Sequence, residues 1–140
     1  MKIQFLISTM NRSDFDFLYN IFPKSLIYKI NAIVINQCNK INANDVNTTF
    51  YNSNIKIFSV NDIGLSKSRN LALFYADADV CVLCDDDYIY NQNCLDIITK
   101  AYSELTYADI ITFQSLNIEN SKPRKTYKYS IYKHSLFDLS

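Results

Sequence analysis

"GLSKSRNLALFYADADVCVLCDDDYIY", residues 64–90, holds the single glycine of a 140-residue chain and ends an apolar run in three consecutive aspartates. The run "DVCVLC" at 79–84 is short and continuous rather than alternating, which is the pattern of a strand buried on both faces. Before it, "SKSRNLALFYA" at 66–76 has helical spacing, and Gly64 frees the backbone for a tight turn into that helix. Helix, buried strand and polar stop together form the repeating unit of a parallel α/β sheet.

Outward from this unit the pattern recurs. Further strands are expected at "KIQFLIS" (2–8), "NAIVIN" (31–36), "IKIFSV" (55–60) and "DIITFQ" (109–114), and helices at 13–22, ended by Pro23, and at 93–105. In the last helix Leu95, Ile98, Tyr102 and Leu105 fall on one face. The expected fold class is α/β, a doubly wound, mostly parallel sheet with helices on both faces. Residues 39–54, rich in Asn, Thr and Asp, read as a loop with at most one helical turn.

Composition narrows the function. Hydrophobic residues make up 49% of the chain, which excludes disorder, and 14 basic residues balance 14 acidic ones, so neither nucleic acid nor an anionic membrane is the default partner. The one basic cluster, Lys122 to Lys133 with Tyr127, Tyr129 and Tyr132 interleaved, reads as a solvated strand or hairpin. No stretch resembles a signal peptide or spans a bilayer, so a cytoplasmic location is expected, with Cys38, Cys81, Cys84 and Cys94 reduced.

In a doubly wound sheet the functional groups gather beyond the carboxyl ends of the strands. Those ends carry Ser8-Thr9-Met10-Asn11-Arg12, Asn36-Gln37, Asn61-Asp62-Ile63-Gly64 and Asp85-Asp86-Asp87. Three adjacent carboxylates raise one another's pKa unless positive charge stands among them. One solution is a divalent cation, Mn²⁺ or Mg²⁺, held by Asp85 and Asp87 on one side of an extended segment while Asp86 reaches a neighbouring hydroxyl. Such ions complete their shells with phosphate oxygens, which implies a phosphorylated ligand. The plainer alternative is a solvated acidic turn before a helix. Ser66 is a candidate N-cap, and Arg69 with Asn70 would then fall in the first turn, where anions are favoured.

Together, "GLSKSRNLAL" and "ADVCVLCDDD" resemble the signature of family 2 glycosyltransferases: a Gly-Leu/Pro-Ser-x-x-Arg-Asn helix, then a strand ending in Asp-x-Asp. "STMNR" and "INQCN" are similar to the first two strand ends of a bacterial, polysaccharide-making branch, and the likeness runs from Lys2 to about Gln114. It implies a GT-A (Rossmann-like) fold and a metal-dependent inverting transfer from a nucleoside diphosphate sugar, UDP favoured, to a saccharide or lipid-linked acceptor. A nucleic-acid partner is not implied, and peripheral membrane association is compatible with it.

The resemblance also distributes roles. It implies Thr9 and Asn11 along the nucleoside, Asp62 near the base, Arg69 by the diphosphate with Gly64 and Ser66 in the same turn, Asp85 at the ribose or donor sugar with Asp86 nearby, and Asp87 on the metal. Gln37 stands where many members carry acidic residues, and its amide can still pair with a pyrimidine. Residues 1–114 are expected to be the nucleotide-sugar-binding core and 115–140 the start of an acceptor-side region. Inverting members place a carboxylate base in that later half, where only Glu119 and Asp138 stand, outside any recognisable motif. A base is therefore expected to be missing, and the alternative to a transferase is a binding half-domain without turnover.

Other motifs lead elsewhere. Cys81 and Cys84 have C-x-x-C spacing, but residues three apart on a strand face opposite sides and cannot share a metal. His134 lacks a nucleophile context, and most of the tyrosines read as packing groups. A sugar nucleotidylyltransferase would carry a Gly-rich loop after the first strand, and a haloacid-dehalogenase-type phosphatase would carry its paired aspartates there.

Overall fold

The computed structural model describes residues 1–39, 48–49 and 54–116. Elements follow in the order β1 (Ile3–Met10), α1 (Phe17–Ile21), α2 (Lys24–Ile27), β2 (Asn31–Gln37), β3 (Thr48–Thr49), β4 (Ile55–Val60), α3 (Leu65–Tyr75), β5 (Val80–Asp85) and α4 (Cys94–Glu104). They build a five-stranded sheet in the order β3-β4-β2-β1-β5. All pairings are parallel except that of the short β3 with β4. The chain divides into two compact units, 1–103 and 104–140.

Continuous apolar runs make this sheet because both of its faces are covered. Phe5 and Ile7 of β1, Ala32 and Val34 of β2, and Val80 and Cys84 of β5 pack with Leu18, Phe22 and Ile27 from α1 to α2 and with Ile98 of α4. On the other face Leu6, Ile33 and Ile35 pack with Ala72 of α3. Helices therefore lie on both faces, and the fold is the doubly wound α/β class that the sequence predicts. Cys81 belongs to the α3 face and Cys84 to the opposite one, as alternation along a strand requires.

Two elements differ from expectation. The helix expected over 13–22 begins only at Phe17, because the Asp14 carboxylate accepts from the Asp16 amide at 3.2 Å and offers the backbone a turn instead. It stops before Pro23, where Phe22 is extended (φ −116°, ψ 127°) as a residue preceding proline must be, and a second short helix follows. The strand expected at 109–114 does not form: Ile110 and Phe113 are 84% and 47% exposed, so the run lacks the two-sided burial that makes such a strand. Most of the loop expected over 39–54 lies outside the described residues, and its described part includes β3. The basic segment 122–133, His134, Glu119 and Asp138 also lie outside them.

β1 is central, and the chain order sets the location of the site. From β1 the strands add outward through β2 to β4, and the chain then returns through α3 to place β5 on the other side of β1. The order thus reverses between β1 and β5, which is where a crevice opens at the carboxyl edge.

Candidate functional site

β5 ends at Asp85, in register with Ser8 of β1, and Asp86 and Asp87 continue into a turn. The turn is pinned on its far side by Tyr90. Its ring stacks on Phe22 (5.2 Å between centroids, 19° between planes) and meets the edge of Phe5 at 5.2 Å, while its amide donates to the Ile21 carbonyl at 2.8 Å. The acidic triplet is thus strung between a core strand and an aromatic anchor. Burial raises the Tyr90 hydroxyl's pKa, so it stays protonated beside Cys84.

Alternation sends the first two aspartates to opposite faces. On the α3 face Asp85 accepts from Arg69 Nη2 at 2.8 Å. On the other face Asp86 Oδ2 accepts from the Thr9 hydroxyl at 2.6 Å and from Arg12 Nη2 at 2.8 Å, and Arg12 Nε donates to Thr9 Oγ1 at 3.3 Å. Partial burial raises the Asp86 pKa, but the Thr9 and Arg12 hydrogen bonds outweigh it and hold the carboxyl below the usual range. Asp87 is exposed and makes no ion pair or side-chain hydrogen bond among the described residues. Within the chain, two guanidinium groups answer two of the three carboxylates.

The neighbouring strand ends form the rest of the edge. Asn11 adopts a left-handed conformation (φ +51°), tolerable for Asn, with its amide on the Gln37 carbonyl and its side-chain oxygen accepting from the Asn39 amide. Gln37 is 4% exposed, and both ends of its amide are engaged: Nε2 lies 3.4 Å from the Thr9 carbonyl, and Oε1 accepts from the Gly64 amide at 2.6 Å. Gly64, at φ +147°, caps α3, which starts at Leu65.

Ser66 is therefore in the first turn and exposed rather than at the N-cap, and Arg69 is one turn further on. The left-handed glycine moves the helix start one residue earlier than the Ser66 reading predicts. α3 is docked to β1 through Ser68, whose Oγ lies 2.9 Å from Ser8 Oγ in a buried contact. Asp62 is exposed and paired with Lys67 at 2.5 Å, beside a cleft of about 390 Å³ between the end of β4 and α3, with Asn70 and Phe74 on its walls.

Some chemistry is excluded. Burial pushes the Cys84 thiol up to about 12 and raises Cys81 and Cys94, which makes poor nucleophiles of all three. Among the described residues no three His, Cys, Asp or Glu side chains are grouped to hold a metal by themselves. The site that does exist is acidic, arginine-lined and at the switch point.

The sequence matches Glycosyl transferase family 2 over residues 6–138. The chain belongs to that family. Its doubly wound sheet is accordingly the GT-A, Rossmann-like fold, and its activity class is glycosyl transfer. No curated protein and no solved structure matches it.

In this family 2 glycosyltransferase the edge carries two separate pairings, Thr9 and Asp86 joined through Arg12 on one face and Arg69 with Asp85 on the other, and a further group of Asn11, Gln37 and Gly64 braces the strand ends. Arg12 and Asn36 carry no assigned role in the sequence reading. The Asn36 amide accepts from the Arg12 backbone N–H at 3.0 Å and donates to the Arg12 carbonyl at 2.9 Å. Charge counting was the available signal for Arg12: it is the basic residue of "STMNR", at a strand end on the same carboxyl edge as the aspartates.

Proposed function

We propose that the β1/β5 edge is the donor site of a metal-dependent inverting glycosyltransferase. It would accept a nucleoside diphosphate sugar, UDP favoured, and pass the sugar to a saccharide or lipid-linked acceptor of the kind used in polysaccharide synthesis. The observation that carries this reading is the pairing at the switch point: Arg69 with Asp85, Arg12 and Thr9 with Asp86, and Asp87 exposed and unpaired among the described residues.

The donor set fits Mn²⁺ or Mg²⁺. Hard carboxylate oxygens from one or two residues suit such an ion when phosphates complete its shell, and Asp87 with Asp85 supplies that number. When bound, the cation supplies charge to stabilise a diphosphate leaving group. Arg69 adds a second positive group from the α3 side: its side chain is about one-third exposed and engages Asp85 through Nη2, while its Nε is buried without a partner among the described residues.

We assign Thr9 and Asp86 to positioning at the nucleoside end, and Asp62, exposed at the mouth of its cleft, to the base. Asn11, Gln37 and Gly64 act through the backbone: both ends of the Gln37 amide are already committed, so it shapes the Gly64 turn rather than reading a pyrimidine. Ser66 stands exposed in the first turn of α3, on the diphosphate side. No helix among the described residues is long and apolar enough to cross a membrane, and work at a cytoplasmic face with peripheral membrane attachment agrees with the proposed acceptors.

Calorimetric titration of UDP and GDP, each with and without Mn²⁺, into the wild type and Asp87→Asn tests the reading. Metal-dependent binding of one nucleotide, lost by more than tenfold in Asp87→Asn, is expected; binding that ignores both the metal and Asp87 would refute it. A transfer assay on the same samples separates turnover from binding without transfer.

A further inference from the structure

The geometry points to Arg12 as the positioning residue of the donor site: it draws Asp86 to the α1 side of the sheet edge and leaves Asp85 and Asp87 as the carboxylates presented to a cation and its diphosphate. The inference rests on the donor-site reading and adds a residue to which neither the motif nor the family match gives a role.

Three observations carry it. First, Arg12 is held before any ligand arrives. Its backbone N–H and C=O are both bonded by the Asn36 amide, and its guanidinium lies over the Phe17 ring at 4.9 Å. With its backbone pinned and its guanidinium resting on a ring, Arg12 loses less further freedom on forming an ion pair than an ordinary surface residue does. Second, its two contacts act together. Because Arg12 Nε donates to Thr9 Oγ1, the Thr9 hydroxyl proton is left to point at Asp86, and the same Asp86 oxygen takes the Arg12 Nη2 bond.

The third is charge. With Arg12 and Arg69 in place, three carboxylates face two guanidinium groups, and the local excess is a single negative charge. Without Arg12 the excess doubles and Asp86 is released toward its neighbours. A lone cation is then attracted as well as before or better, whereas a diphosphate is repelled. A general loss of packing would weaken both ligands alike, so the opposite signs distinguish positioning from scaffolding.

The test uses the full chain and two probes: Mn²⁺ alone, followed by its paramagnetic resonance signal, and UDP or GDP with Mn²⁺, followed by calorimetry. Arg12→Met is expected to keep or tighten binding of Mn²⁺ alone and to weaken nucleotide binding roughly tenfold, the scale of one charge-assisted hydrogen bond. Arg12→Lys, which keeps the charge but loses the fork and the ring contact, should fall between, and Lys2→Met, removing an ion pair at the opposite end of β1, should match the wild type. A nucleotide loss of fivefold or less in Arg12→Met overturns the inference, as does parallel loss of Mn²⁺ and nucleotide. Wild type that binds neither nucleotide with Mn²⁺ overturns the donor-site reading itself, and this inference falls with it.

Discussion

The paired strands β1 and β5 carry ion pairs at both ends, and the two ends use the same distances to different effect. At the amino end Lys2 Nζ lies 2.7 Å from Asp77 Oδ2, and the Lys2 amide donates to Asp79 at 2.7 Å. At the carboxyl end Arg12 and Arg69 lie 2.8 Å from Asp86 and Asp85. The Asp77 side chain is 92% exposed, whereas that of Asp86 is 28% exposed and shares its oxygen with a hydroxyl from the 4%-exposed Thr9. A lysine point charge in water pays side-chain entropy for a screened attraction; a guanidinium backed by a ring and a hydroxyl has that ordering done for it. Separation alone does not distinguish a structural ornament from a site. The groups behind each charge do.

The strongest way to break the difference is to remove what holds the carboxyl end. Tyr90→Ala deletes the ring that stacks on Phe22 and meets Phe5, the anchor from which the acidic turn is strung. Urea unfolding should show a loss of about 2–4 kcal/mol, as for aromatic-to-alanine changes at well-packed sites. Tyr90→Phe keeps the ring and should lose about 1 kcal/mol or less, since only the hydroxyl contact to Cys84 goes. Equal losses in the two variants would move the anchor from the ring to the hydroxyl.

A smaller effect is expected at the start of α3. Gly64 sits at φ +147°, and an added Cβ would meet Lys67 Cδ at an ordinary 3.4 Å, so the constraint there is conformational and not steric. Gly64→Ala should cost about 1–2 kcal/mol in urea unfolding, the strain of that backbone partly offset by the stiffer unfolded chain. Because the Gly64 amide also bonds Gln37, the change should be felt at the carboxyl end and not at Lys2. Amide hydrogen exchange that quickened at Asp79 and Val80, which bond the Lys2 carbonyl, beyond the global change would contradict that division.

What was legible in the sequence follows the same physics. Continuous apolar runs read as strands because a covered parallel sheet accepts them, most plainly in β2, where Ala32 to Gln37 are all buried, and β4 appears over the very residues expected, Ile55–Val60. The aspartate triplet was legible as a site because uncompensated charge at a strand end requires an explanation. Its compensation by Arg12 was not, since that depends on β1 and β5 being neighbours, and chain order alone does not show it. Gln37 was read as a candidate ligand contact from the family resemblance, where its amide takes the place of acidic residues; its orientation, turned inward to Thr9 and Gly64, is a matter of register. The apolar run at 109–114 looked like a strand because sequence shows hydrophobicity but not what covers it.

The smallest effect sharpens the comparison through pH. Both Asp77 and Asp86 titrate below the ordinary 3.8: Asp77 through its hydrogen bond and attraction to Lys2, Asp86 because the Thr9 and Arg12 bonds outweigh a burial that pushes the other way. A carboxyl whose folded value lies below its unfolded one contributes stability that is present above the unfolded value and is lost as pH falls through the folded one. The sign is the same at both ends, so the two differ only in size. Thermal unfolding followed from pH 6 down to pH 2 should show a wild-type decline that begins near pH 4, is visibly shallower in Asp86→Asn and is barely changed in Asp77→Asn or Lys2→Met. Salt separates the ends further: a screened lysine pair in open water should vanish from the profile at high ionic strength, while the half-buried guanidinium pair should survive it. If Asp77→Asn flattened the decline as much as Asp86→Asn, the support behind Arg12 would count for nothing, and the two ends of β1 would be physically alike.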